Sequence, residues 1–156
     1  RPAVIAERAR YLTELRRVLA RADVIKVSDE DLDVLAPDLD VEQLLTLGAA
    51  AVIVTAGGDG TEVVTPSGRI DVPVAPLPGP LVDTIGAGDT FSAGFIAWWT
   101  VAGFGRVGLR GPGALDRLGA AVAAAGQAAA VTVTRRGCDP PHLADLPSTW
   151  THNPFA

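Results

Sequence analysis

Apolar residues recur at helical spacing through the first part of the chain. Ile5, Ala9, Leu12, Leu15 and Leu19 share one face of a helix predicted over 3–20. The pattern then tightens. Residues 22–27 (ADVIKV) form a short, nearly continuous apolar run that reads as a buried strand. Ser28 opens a second, short helix through Leu35, which Pro37 closes. Residues 41–47 (VEQLLTL) predict a further helix, with Gly48 in the C-cap role. Residues 50–55 (AAVIVT) predict the next buried strand. Strands alternating with helices imply a parallel sheet.

The period changes after Gly60. Residues 61–65 (TEVVT) and 69–74 (RIDVPV) flank Pro66-Ser67-Gly68, a turn signal, and predict an antiparallel hairpin. Three prolines in 75–80 predict a rigid extended link, and a helix is expected from Gly88 to about Ala102. Five glycines and a proline make 103–113 a loop. Ala114 to Ala130 is alanine-rich and helical, thin enough to pack closely. Residues 131–134 (VTVT) read as a short strand or extended exit, and the tail from Pro140 as irregular. The expected fold class is α/β: a parallel sheet flanked by helices, with an antiparallel hairpin at one edge. The 156 residues suffice for one domain with a real core, and no internal repeat or domain boundary interrupts them.

Composition narrows the chemistry. A net charge of -5 argues against a nucleic-acid partner, which would want a basic face. A single cysteine, Cys138, excludes an internal disulfide and a cysteine metal cluster. His142 and His152 lack metal-ligand spacing and read as surface residues. No apolar run reaches membrane-spanning length and no signal peptide opens the chain, so a soluble cytoplasmic domain is the default expectation, without a membrane partner. There is no methionine, and the chain opens Arg1-Pro2. The expectation is a fragment, a processed product or a sequence lacking its start.

The candidate chemistry lies in residues 82–95, VDTIGAGDTFSAGF, where an acid stands at a helix mouth with no basic residue nearby. Amides of a helix's first turn are unpaired and carry partial positive charge, and small residues let an anion approach them. Gly86, Ala87 and Gly88 can therefore form an anion hole. Asp89, beside it, can accept the proton of an attacking hydroxyl. Together these are what phosphoryl transfer to an alcohol requires. A helix with an acidic first turn has the same composition. The second glycine stretch, TAGGDG at 55–60, follows a buried strand and offers close backbone approach at Gly57 and Gly60. A tight turn before a hairpin would also use these glycines. Ser28 and Asp31, in KVSDED, have the spacing of a capping box.

The stretch DTIGAGDTFSAGF closely resembles the C-terminal signature of the ribokinase-like, PfkB-type sugar kinases. Asp83, Thr84, Gly86, Ala87, Gly88, Asp89, Phe91, Ala93 and Gly94 all fit it. The resemblance implies that Asp89 is the catalytic base and that Gly86 to Gly88 hold the transferring phosphoryl. It places Thr55, Gly57, Gly60 and Gly88 near ATP phosphates. It sets Ser28 and Asp31 where the family usually has an asparagine and a glutamate tied to magnesium through water. VTVTRRGC at 131–138 resembles the segment that, with the loop at Asp83, encloses potassium in many relatives. The matching positions are Asp83, Ile85, Thr132, Arg135 and Gly137, with Pro141 where relatives often offer a hydroxyl. The implied cofactors are ATP and Mg2+, with K+ where that loop pair binds it. The implied partner is a small sugar, fructokinase-like preference being expected over ribose, and a homodimer is compatible with it.

The resemblance covers about 1–147 and corresponds to the C-terminal, nucleotide-binding and catalytic portion of a ribokinase-like domain, 1–156 here, without its N-terminal half. Two other readings compete. GGDGT at 57–61 is also the phosphate-loop string of NAD and diacylglycerol kinases, but there a helix follows, whereas TEVVTPSGRIDVPV predicts a hairpin. A non-catalytic nucleotide-binding fragment is the other.

Overall fold

The computed structural model describes residues 7–35 and 39–151; Arg1, Pro2, Ile5, Pro37 and His152 lie outside them. Helix α1 (Arg8–Leu19) leads into strand β1 (Val24–Ser28), followed by α2 (Asp29–Leu35), α3 (Val41–Thr46) and β2 (Ala51–Thr55). β3 (Thr61–Thr65) and β4 (Gly68–Val72) come next, then the long helices α4 (Ala87–Val101) and α5 (Ala114–Thr132). An Asp40–Gln43 capping box fixes where α3 begins, with reciprocal bonds of 2.7 and 2.9 Å. Gly48, at φ +112°, ends that turn.

The sheet has the order β1-β2-β3-β4. β1 and β2 run parallel, with Val24 opposite Ala51 and Ser28 opposite Thr55. β3 and β4 form the expected hairpin, and β3 also pairs antiparallel with β2, so the sheet is mixed. Because side chains alternate along a strand, each face builds its own core. Ile25, Val27 and Val52 pack with Leu12, Leu39 and Leu44. Ala51, Ile53 and Val63 pack with Phe91, Phe95, Trp98, Leu118 and Val122 from α4 and α5.

The two long helices meet closely because their contact residues are small. A methyl group placed on Gly94 would lie 3.2 Å from Ala128 Cβ and 3.3 Å from Ala125 Cα. The loop 103–113 is pinned by the Trp99 indole N–H, which donates to Gly105 O at 2.9 Å, and by Arg117 Nε, which donates to Gly108 O at 3.1 Å. One expectation fails. Residues 131–134 are not a strand: Val131 and Thr132 finish α5, and a turn follows. Their β-branched side chains favour a strand locally. The buried Thr132 hydroxyl instead bonds Thr90 Oγ1 at 3.1 Å, a tertiary tie consistent with the helix running two residues longer, to Thr132.

Candidate active site

Parallel strands β1 and β2 present their C-terminal ends on the same edge of the sheet, the place where open α/β sheets bind ligands. Thr55 ends β2, and the Gly57–Asp59 turn follows it. A hairpin, not a helix, comes after Gly60. Across from this loop stands the start of α4. The chain reaches it through Gly86, whose φ of +81° is a left-handed conformation that glycine adopts without strain. Ala87 N–H donates back to Thr84 O at 3.2 Å, and Thr90 N–H to Gly86 O at 2.8 Å. Between them the amides of Gly88 and Asp89 find no acceptor among the described residues. These are the unpaired donors expected of a first helical turn.

A cavity of about 390 Å³ lies between the two glycine stretches. Thr55, Gly57 and Gly58 wall one side; Thr84, Ala87 and Gly88 wall another. Its remaining lining is largely apolar, from Val72 and Val74 on the hairpin side to Phe91, Val122, Ala129 and Val133. That size and character suit a small organic ligand with one polar end. Asp89 is exposed in the first turn of α4, and its carboxylate makes no hydrogen bond or ion pair with any described residue.

The other candidate residues separate into groups. Gly60 is absent from this cavity's walls. Its φ of +105° and the carbonyl of Val72, 2.9 Å from where its Cβ would stand, explain the glycine by backbone crowding. Ser28 and Asp31 bond each other: Ser28 Oγ donates to Asp31 Oδ2 at 2.7 Å and accepts the Asp31 N–H at 3.1 Å. They therefore cap α2, as their spacing allows.

The loops at 83–85 and 135–137 do meet. Asp83 Oδ1 accepts the Ile85 N–H and Oδ2 the Gly137 N–H, each at 3.0 Å. The Ile85 amide first, then the Gly137 amide, hold the Asp83 carboxyl below the usual carboxylate range, with help from the Thr84 amide and the charge of Arg136. Arg135 is turned to the tail, pairing with Asp145 at 3.0 Å and Asp139 at 3.5 Å. Cys138 is exposed, yet its thiol abuts Gly86: a Cβ on Gly86 would collide with Sγ. His142 is exposed and starts a short 3-10 turn. The described residues hold no cluster of three or more His, Cys, Asp or Glu suited to a metal ion, and none of their helices is long and apolar enough to cross a membrane.

Sequence reading missed one residue. The first turn of α4 does have a basic neighbour: Lys26 Nζ lies 3.6 Å from where a methyl group on Gly88 would stand. Strand alternation was the available signal. Lys26 shares a strand face with Val24, which packs on the α4–α5 side, while Ile25 and Val27 point the other way.

The chain as a whole is similar to known proteins. Residues 2–145 match the pfkB family of carbohydrate kinases. A fructokinase of Rhizobium leguminosarum bv. trifolii is 37% identical over 101 residues, which cover 62% of this chain and 30% of that protein. A fructokinase of Xylella fastidiosa with bound ATP superposes with a TM-score of 0.69 at 25% identity, over 86% of this chain and 42% of that one. A structure from E. coli in complex with ATP and Mg2+ superposes with a TM-score of 0.66 at 25% identity, covering 88% of this chain and 41% of its own. The chain thus spans under half the length of these proteins.

Proposed function

The chain belongs to the pfkB family of carbohydrate kinases, and from that premise we propose that it supplies the ATP side and the catalytic base of a sugar kinase. The observation that carries the reading is one cavity walled by two glycine stretches far apart in sequence, with Asp89 on the turn that forms one wall. The apolar part of the cavity takes the nucleoside, and its glycine end takes the phosphates. The transferring phosphoryl lies against the open amides of Gly88 and Asp89. Asp89 takes the proton of the acceptor hydroxyl as the new O–P bond forms. The bond from that phosphorus to the bridging oxygen breaks, and ADP leaves. The sugar class favoured is a fructose-like acceptor, supported by the likeness to fructokinases.

Magnesium would come with the nucleotide, neutralising phosphate charge. Asp31, just past the end of β1, keeps Oδ1 without a partner among the described residues and could hold a water of that ion's shell. Potassium is the further expectation at the loops joined by Asp83. Both Asp83 oxygens already accept amides and Arg135 is paired, so a cation there would rely on backbone oxygens.

The test is sugar-dependent ADP release by the whole protein with MgATP and a panel including fructose, ribose, NAD and a diacylglycerol. Turnover with fructose or a related sugar is expected. Asp89→Asn should keep ATP binding and lower the rate by about 10²–10⁴. ATP consumption only with NAD or lipid, or an Asp89→Asn enzyme above half activity, overturns the assignment.

A further inference from the structure

The chain enters and leaves the turn at Gly86–Asp89 over the same end of α5. On the way in, the Val82 and Asp83 amides both donate to Val133 O, at 2.8 and 3.2 Å. On the way out, Thr90 meets Thr132, the last residue of α5. The Thr132 hydroxyl donates to Thr90 Oγ1 at 3.1 Å, with Ala128 O 3.4 Å away on its own helix. Both side chains are buried, at 0% exposure for Thr132 and 6% for Thr90. Around them α4 meets α5 through apolar residues such as Phe91, Ala125 and Ala128. Apolar burial is non-directional and sets a helix register only loosely. A bond between two buried hydroxyls is directional and sets it tightly.

Asp89 depends on that register. Its carboxylate makes no hydrogen bond or ion pair with any described residue, so its place is set through the backbone of the first turn. A first turn is also where a helix frays. Thr90 is the next residue, and its N–H bonds Gly86 O at 2.8 Å. Among the described residues, Thr90–Thr132 is the side-chain hydrogen bond that ties Ala87–Thr90 to another element.

We propose that Thr132 is a positioning residue for the candidate base: its hydroxyl, through Thr90, holds the first turn of α4 in register with α5 and keeps Asp89 aimed at the acceptor hydroxyl. The proposal rests on the kinase reading above and deepens it. It concerns the hydroxyl alone, since the Thr132 carbonyl accepts the Arg135 N–H at 3.0 Å. No proton moves along the tie. ATP held by the whole cavity tolerates a small shift of one helix end. Proton transfer from the acceptor does not, because a misplacement of about 1 Å costs about 10² in rate.

The experiment uses the whole protein with the T132V, T132S and T90V/T132V variants. Valine matches threonine in shape and removes the hydroxyl; serine keeps it. In T132V the Thr90 hydroxyl is left buried without that partner, so Tm should fall. In T90V/T132V no hydroxyl of the pair is stranded, so Tm should return towards wild type. Calorimetry gives the stoichiometry and affinity of MgATP binding, and steady-state assays give kcat and KM. For T132V, kcat should fall about ten-fold or more, with ATP stoichiometry unchanged and affinity within about three-fold of wild type. T90V/T132V should keep the low kcat despite its recovered Tm, and T132S should regain most of the rate. A T132V kcat within about three-fold of wild type, or recovery of kcat together with Tm in the double variant, overturns the positioning role and leaves the kinase reading intact. The double variant decides alone should T132V fold poorly. A wild-type protein with no sugar-dependent ADP release overturns the kinase reading itself, and this role with it.

Discussion

Gly88→Ala should separate folding from catalysis. Gly88 is not among the glycines held at positive φ, and it sits inside the first turn of α4. Among the described residues a methyl group there would meet only Lys26 Nζ, at 3.6 Å, an ordinary contact with the end of a flexible side chain. Nothing within the described chain therefore demands glycine. Alanine is the better helix former by about 0.5–1 kcal/mol. For a domain of this size that corresponds to a rise in Tm of about 1–4 °C. The methyl group would, however, occupy the approach to the open amides of Gly88 and Asp89. Pushing a phosphoryl group about 1 Å from its place costs on the order of 10² in rate, comparable to removing one donor from an anion hole. Thermal melts and steady-state kinetics of the same preparation decide the matter. The expected pair is an unchanged or raised Tm with kcat down by about 10². A raised Tm with kcat within about three-fold of wild type would show that the transferring group does not lie against this turn. A Tm several degrees lower would show that Gly88 has a structural task the geometry does not reveal.

Gly86→Ala should behave oppositely, destabilising by at least about 1–2 kcal/mol through its left-handed backbone, with an added clash against Cys138. Combining it with Cys138→Ala should return part of the loss of Tm, and strict additivity would disprove the contact. Asp83→Asn keeps one acceptor oxygen where two are used, and should lower Tm at pH 7. The folded Asp83 carboxyl lies below its ordinary value of 3.8, so its contribution is complete above that pH and is lost as pH falls through the lowered value. The Tm gap to wild type should therefore close below about pH 3.8, and a gap constant down to pH 3 would contradict the linkage. Gly94→Ala gains helix propensity but inserts a methyl group within 3.2–3.3 Å of Ala128, Ala125 and Trp150. Overpacking costs of about 1–3 kcal/mol make a net loss the expected result in denaturant melts.

The parts of the fold set by neighbouring residues were legible. The strands around Ile25 and Ile53, the hairpin about Ser67 and the long helices all follow from apolar period and turn residues, and structure shifts their ends by a few positions at most. Pairing of β3 with β2 was not legible, because no local pattern says which edge a hairpin joins. The end of α5 was misjudged for a related reason. Val131 and Thr132 look like strand residues until the buried hydroxyl of Thr132 is seen to bond Thr90, 42 residues earlier. The glycine motifs were legible as motifs, but not that they share a cavity.

The motif also blends two kinds of glycine that a string cannot tell apart. Gly86 is glycine because the backbone turns left-handed there and Cys138 leaves no room for a side chain. Gly60 is likewise required by its φ and by the carbonyl of Val72. Both are accounted for by the fold alone, so neither is an independent argument for a ligand. Gly88 differs: its conformation is ordinary, and among the described residues a methyl group there would meet just the Lys26 ammonium. Among the described residues it has no intramolecular reason to be glycine, and its missing side chain fits the proposed close approach of a phosphoryl group to the backbone. In the proposed kinase reading the ligand-binding task of the GAGD turn falls on Gly88 and Asp89, while Gly86 makes the left-handed turn that brings them there.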